Sequence, residues 1–268
     1  MAHGGRLEAF FTVPSSTTVT ATSPGGGTDS VSLTAGTYTP TSFCAHLQAR
    51  LIAVNGAGWT VTLSTGTSGT GLVTIDCSSE PYALTFTTAE VGTVLGFVGN
   101  ISSTSSPSVG TQNARGLWLP KCPVTLEGHP SRAPKVTDAR STMGPTGRTL
   151  TLKGTSRYRH RGLRWSHIAK AQCFEAHATT TYASLQQWID DTQFGDGHSW
   201  FRPGSRFQAY WSNNGTDAII GADLNSGTGP TYGWTCVPAI ASFEPTRVSQ
   251  QGLLEWWSFE IPELVSEG

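Results

Sequence analysis

TPTSFCAHLQARLIAVNG, residues 39–56, is followed by WTVTLS (59–64), LVTIDC (72–77) and YALTFT (82–87). In the first stretch Phe43, Leu47, Leu51 and Val54 recur every three or four residues. A Ser/Thr cap precedes them and Asn55-Gly56 follows, which predicts a helix over about 41–54. The next three stretches change period. Trp59, Val61 and Leu63 alternate with polar residues, as do Tyr82, Leu84 and Phe86, which is the two-residue repeat of half-buried strands. One helix embedded among short strands separated by Gly/Ser/Thr turns sets the class as mainly β with a few short helices.

Working outward, LEAFFTV (7–13) and STTVTAT (16–22) read as strands, followed by a loop at Pro24 to Gly27. Thr87 to Glu90 has the spacing of a capping box, so a short helix is expected to run to Leu95 before the Leu95-Gly96-Phe97 corner. Residues 1–97 are thus expected as an N-terminal β-rich domain. Residues 98–114, VGNISSTSSPSVGTQNA, are small and polar without period, and are expected as a linker or long loop. Residues 115–268 hold eight of the nine tryptophans and the strand candidates RGLWLP (115–120), PVTLE (123–127), RTLTLKG (148–154), GLRWSHIAKAQCFEA (162–176), RFQAYW (206–211), WTCVPAIASF (234–243) and LLEWWSFEIPEL (253–264). TTYASLQQWIDD (180–191) reads as a helix, and Asn213-Asn214-Gly215 as a hairpin signal. This half is expected to be a β-sandwich or barrel with one packed helix.

Charge is sparse and sorted. Charged residues make up 13% of the 268, about half the ~25% usual in soluble domains. Residues 1–114 carry a net −3, residues 115–170 a net +10 and residues 171–268 a net −8. Such blocks can neutralise one another within the chain, bind neighbouring copies head to tail, or hold a polyanion. Arg157, Arg159, Arg161 and Arg164 interleave with Tyr158 and Trp165, as on nucleic-acid surfaces. In an extended strand, however, positions 157, 159 and 161 fall on one side and Tyr158 on the other, which favours a ridge for protein contact over a stacking platform. The carboxylates Asp190, Asp191 and Asp196 are its expected partners on the next subunit.

The chemistry-bearing residues form no catalytic signature. The five cysteines, Cys44, Cys77, Cys122, Cys173 and Cys236, are scattered without a CxxC pair and read as buried free thiols in a reducing compartment, with no metal site. The seven histidines include no HxxxH or HExxH, and His46 is expected as an interface or satisfied core residue beside the helix stripe. No P-loop or GxSxG occurs, and GPTGR (144–148) lacks the residues that cradle phosphate. Asp190, Asp191, Asp196 and His198 could supply an acid/base pair, but DDTQFGDGHSW also matches a helix end running into a turn. No catalytic residue and no cofactor are expected. MAHGGRLEAFF holds no signal-peptide core and no run of about 18 apolar residues occurs, so no export signal or membrane span is expected.

GTYTPTSFCAHLQARL (36–51), WTVTLSTGTSGTGLVTIDC (59–77), YALTF (82–86) and VLGF (94–97) together resemble a module recurrent in virion structural proteins, with a G-x-Y-x-P helix start, a β-hairpin and a closing Leu-Gly-Phe. The second half is similar in layout to tail-tube and distal-tail proteins of tailed bacteriophages, down to the aromatic strand LLEWWSFEIPEL near the C-terminus. The resemblance implies a homo-oligomeric ring, hexameric or trimeric, stacked within a tail beside other tail proteins and assembled in the host cytoplasm. It implies no enzymatic activity and no cofactor, and nucleic acid would meet the protein only in passing through a tube lumen. The N-terminal module departs from a minimal tube subunit, which points to an added outward domain or to a place at the tail tip or neck.

A phage tail structural protein, whether distal tail, tail tube, tip ring or baseplate component, is therefore the leading expectation. The alternatives are a carbohydrate-binding tail-tip adhesin stacking sugars on Trp200, Trp211 or Trp234, a neck or minor capsid protein, and a glycan hydrolase acting through Asp190, Asp191 or Asp196.

Overall fold

The computed structural model describes residues 5–22, 27–56, 58–65, 69–78, 81–119, 132–136, 140–143, 149–152, 156–169, 182, 187–188, 190–194, 198–202, 207–213, 216–219, 246–251 and 254–266. These are mainly β-strand with two short helices.

Helix α1 (Pro40–Asn55) forms where the apolar repeat placed it. Thr39 caps it: its hydroxyl accepts from Ser42 N at 3.3 Å while its own N–H donates to Ser42 Oγ at 2.7 Å, and Pro40 occupies the first turn, where no N–H is needed. Phe43, Leu47 and Leu51 are fully buried. Val54, expected on the same stripe, is 39% exposed. The last turn is held instead by Asn55, which donates to Asp29 Oδ2 at 2.6 Å and accepts from Trp59 Nε1 at 3.1 Å, so the helix end is fastened by polar contacts.

Strands β6 (Trp59–Leu63) and β7 (Val73–Cys77) pair in register from Trp59↔Cys77 to Leu63↔Val73, burying Trp59, Val61, Val73, Ile75 and Cys77. Strand β3 (Thr18–Thr22) lies between β4 (Thr28–Ser32) and β8 (Tyr82–Thr85). Helix α2 (Ala89–Leu95) ends at Leu95 as expected, but without the capping box. Thr87 and Thr88 are used by β3 instead: Thr87 Oγ1 shares a hydrogen bond with Thr20 Oγ1 at 3.1 Å, and Thr88 Oγ1 accepts from Thr18 N at 3.3 Å. Gly96 ends the helix at φ +79°, where a Cβ would strike the Gln112 carbonyl, so the Leu-Gly-Phe corner requires glycine.

Residues 98–114, expected as a linker or loop, are instead built into the sheets. Strand β9 (Ile101–Thr104) pairs with β8, and β10 (Ser108–Val109) with β7. The sequence hid them because the pairing is carried by backbone and by Tyr82, whose hydroxyl donates to Ile75 O at 2.7 Å and accepts from Ser108 N at 3.1 Å. Within β9 and β10 only Ile101 is buried.

The first expected strand, 7–13, splits. β2 (Phe11–Val13) pairs with β5 (Gly36–Tyr38), while β1 (Gly5–Ala9) enters a sheet of order β11-β1-β16-β17 with β11 (Leu117–Trp118), β16 (Phe207–Asn213) and β17 (Thr216–Ile219). The expected boundary at 98–114 is therefore crossed by strand pairing on both sides of β1. One apolar core continues across it, from Phe43, Leu47 and Ile75 to Trp188, Trp200 and Phe207.

Beyond residue 119, β13 (Arg140–Met143) pairs with β14 (Thr149–Leu152). The remaining strands form a sheet of order β12-β15-β19-β18: β12 (Arg132–Val136), β15 (Ser156–Ala169), β18 (Thr246–Gln251) and β19 (Leu254–Ser266). Strand β15 starts at Ser156 rather than 162 and takes in the whole basic run. The expected strands 123–127 and 234–243 lie outside the described residues. Of the expected helix 180–191, the described part is a helical turn at 187–188 leading into a π-helical turn at Asp190–Phe194.

Candidate functional site

The most concentrated polar chemistry lies where the turn at 115–116 meets residues 182–201. Arg115 N donates to Val94 O at 2.9 Å. Its guanidinium forks onto Asp191, Nε to Oδ2 at 2.8 Å and Nη2 to Oδ1 at 2.7 Å. Tyr182 OH donates to Asp191 Oδ2 at 2.5 Å and accepts from Gly116 N at 2.9 Å. Trp188 Nε1 donates to Gly116 O at 2.9 Å, and Ala9 N donates to the same carbonyl at 2.9 Å. Thr192 Oγ1 donates to Trp188 O at 2.6 Å.

Gly116 is the hub of this network and adopts φ +83°. A Cβ there would press on the Phe201 ring at 2.9 Å, so close approach and conformation both select glycine.

Electrostatics follow from burial. The Tyr182 hydroxyl is pushed well above its ordinary range by burial and by the neighbouring Asp191 charge, so it stays a protonated donor. Burial opposes the Arg115 charge, but the hydrogen bonds and charge of Asp191 outweigh it and raise its pKa. A planar fork on a carboxylate is the strong form of the ion pair. With the phenol as third donor, three hydrogen bonds hold the Asp191 carboxylate inside the chain.

His198 adjoins this cluster. Its Nδ1 accepts from Trp200 N at 3.2 Å, while buried Nε2 makes no hydrogen bond of good geometry and the Glu90 backbone is a looser partner of the ring. Burial and then the Arg115 charge lower its pKa to about 4, with Asp191 and Glu90 pulling the other way. Its ring stands edge-on to Trp200 (5.7 Å) and Phe201 (5.8 Å). Those rings enter the N-terminal core: Phe11 stacks on Trp200 at 5.9 Å and meets Phe43 and Phe201 edge-on at 5.3 and 5.6 Å. The backbone follows, with Thr12 N donating to Trp200 O at 2.9 Å.

A second buried acidic side chain went unread in the sequence. Glu8, fully buried on β1, accepts from Thr41 N at 3.2 Å and Thr41 Oγ1 at 2.8 Å in the first turn of α1, where the helix dipole favours negative charge. Burial and this carboxylate push the Cys44 thiol far up. His46 is satisfied, its Nε2 accepting from Thr34 N at 3.1 Å beside the Tyr38 ring. Burial and Arg50 lower its pKa.

The residues expected at an inter-subunit surface are distributed differently. Asp191 is 4% exposed and paired with Arg115 of its own chain, so three hydrogen bonds, two from Arg115 and one from Tyr182, hold it within the fold rather than at an outer contact. Asp190 is half-buried at the start of the π-helical turn, and Asp196 lies outside the described residues. In the β15/β19 register Arg161 stands opposite Glu263 and Arg164 opposite Glu260, so the basic and acidic blocks meet within one sheet. Arg159 stands opposite Val265 and Ala133, and Arg157 opposite Lys135. Trp200 is 4% exposed, Trp211 stands opposite Gly5 in the β1/β16 register, and Trp234 lies outside the described residues.

No group of three or more metal-ligating side chains gathers among the described residues, and no helix among them is long and apolar enough to cross a membrane. Comparison with protein-family models, with curated proteins and with solved structures finds no match to this chain.

Proposed function

We propose that the protein is a structural component of a bacteriophage tail, of distal-tail, tube or tip-ring type, whose copies assemble into a ring in the virion. The resemblance of residues 34–97 to virion modules and the layout of the second half, read as a β-sandwich, motivate this reading. One structural observation carries it. The described strands are divided among six sheets of two to four strands, and twelve of the nineteen stand at a sheet edge. Edge strands are templates for pairing with another chain, and a subunit whose edges are completed by neighbours has a use for them.

The contact narrows to Arg157 and Arg159, which face no acidic residue in the described register, whereas Arg161 and Arg164 do. Asp190 and Asp196 remain the proposed acidic side. The adhesin reading loses Trp200, whose ring is in the core, and rests on Trp211 and Trp234 alone.

Negative-stain imaging and sedimentation of the full chain test the proposal. Rings or short tubes are expected at low salt, giving way to smaller species at high salt, because exposed ion pairs are screened over roughly 8–10 Å at physiological ionic strength. A strict monomer at high concentration and low salt overturns it.

A further inference from the structure

Among the described residues at the 115/191 junction, the buried imidazole of His198 has the least complete hydrogen bonding. Because Nδ1 accepts the Trp200 N–H, the ring proton sits on Nε2, and that buried donor makes no hydrogen bond of good geometry, the Glu90 backbone being only a looser partner of the ring. An unmade buried hydrogen bond is costly, and a native fold that keeps one calls for an explanation. The neutral imidazole performs a specific task in return. It positions Trp200 and Phe201, which are wedged against Phe11, with Trp200 also edge-on to Phe43 at 6.0 Å.

We propose that His198 is an acid-sensitive latch that keeps residues 198–201 docked in the N-terminal aromatic core and lets them go when the imidazole takes up a proton. The added proton goes to Nδ1, the ring nitrogen that carries none, and turns an acceptor into a donor 3.2 Å from another donor, the Trp200 N–H. That bond is then lost. The new positive charge meets Arg115 from the 115–116 turn, Asp191 from the π-helical turn and Glu90 from α2. Asp191 offers little relief, since both its oxygens are held by Arg115 and Tyr182. Glu90 alone is left to compensate it. The imidazolium is better accommodated in water, and leaving for water draws out the two aromatic residues that follow it.

The depressed pKa supports the direction. A folded value of about 4 against the ordinary 6.5 means that the open state binds more protons between those limits. The latch therefore holds fully above about pH 6.5 and weakens as pH falls toward 4. Release would expose Phe11 and Trp200 together, an apolar surface present only in acid. None of this depends on the tail assignment.

The test is an acid titration of the full chain by amide exchange and NMR, beside His198→Asn. The Asn side chain can accept from Trp200 N–H near the Nδ1 position but does not titrate. In the wild type, the protection factor of the Thr12 amide, which bonds Trp200 O, should fall at least about tenfold between pH 6.5 and 4, after the intrinsic pH dependence of exchange is divided out, and track the His198 ring titration, tenfold being the effect of one pH unit of proton linkage. In His198→Asn the same fall should move down by about one pH unit or more. A variant that opens at the wild-type pH overturns the latch. So does a His198 titration that leaves the Thr12 and Trp200 amides unmoved in the wild type, a measurement that needs no variant to fold.

Discussion

Arg115 and Asp191, 76 residues apart, close a two-point ion pair at 2.8 and 2.7 Å. Arg115 opens the basic block and Asp191 belongs to the acidic one, so the oppositely charged segments meet first inside the molecule. The side chains are 18% and 5% exposed, which places the pair among buried ion pairs rather than surface ones.

Removing one partner should be far worse than removing both. Arg115→Met leaves the buried Asp191 carboxyl with only Tyr182 as donor, and should cost about 3–5 kcal/mol. Arg115→Met with Asp191→Leu should cost clearly less than the sum of the single changes. Urea unfolding of the four proteins measures the coupling, and simple additivity would show that the pair is not a unit.

The opposed positions of β15 and β19 make a separate prediction. Arg161→Glu sets an anion opposite Glu263 and should destabilise the chain by about 0.2–1 kcal/mol, and adding Glu263→Arg should restore it. Arg159→Glu, with no acidic register partner, should leave monomer stability nearly unchanged and weaken assembly instead. Unfolding and sedimentation measured side by side separate the two effects.

Trp200→Ala removes a ring packed on Phe11 and Phe43 and should cost about 3–5 kcal/mol. A loss of sugar binding in a variant that remained as stable as wild type would return Trp200 to the adhesin reading.

Gly96→Ala should cost at least about 1 kcal/mol, because it combines a positive φ with a Cβ directed at the Gln112 carbonyl. Gly99→Ala, with open space around it, should be close to neutral. Thermal unfolding of the pair checks the contrast.

Cys44 should be inert. With its thiol pushed up by burial and by Glu8, maleimide should label it at pH 8 only after denaturation, as read by peptide mass spectrometry. Rapid labelling of the native protein would contradict its burial.

Local features were legible in the residues themselves. The Phe43, Leu47, Leu51 repeat with its Ser/Thr cap specified α1, and alternation specified β6 and β8, because side-chain period and capping act over a few positions. The capping box expected at Thr87 failed for a tertiary reason: its hydroxyls had better partners on β3. β9 and β10 escaped notice because backbone pairing leaves no mark on small polar residues.

Composition alone established that the +10 and −8 blocks must be compensated; it could not say by what. Only the tertiary structure decided that Arg115 answers Asp191, that Arg161 and Arg164 stand opposite Glu263 and Glu260, and that β1 leaves its neighbours to pair with β11 and β16. The physical reason is range. Helical and strand periods are properties of adjacent residues, whereas an ion pair or a sheet register depends on which distant segments the core brings together.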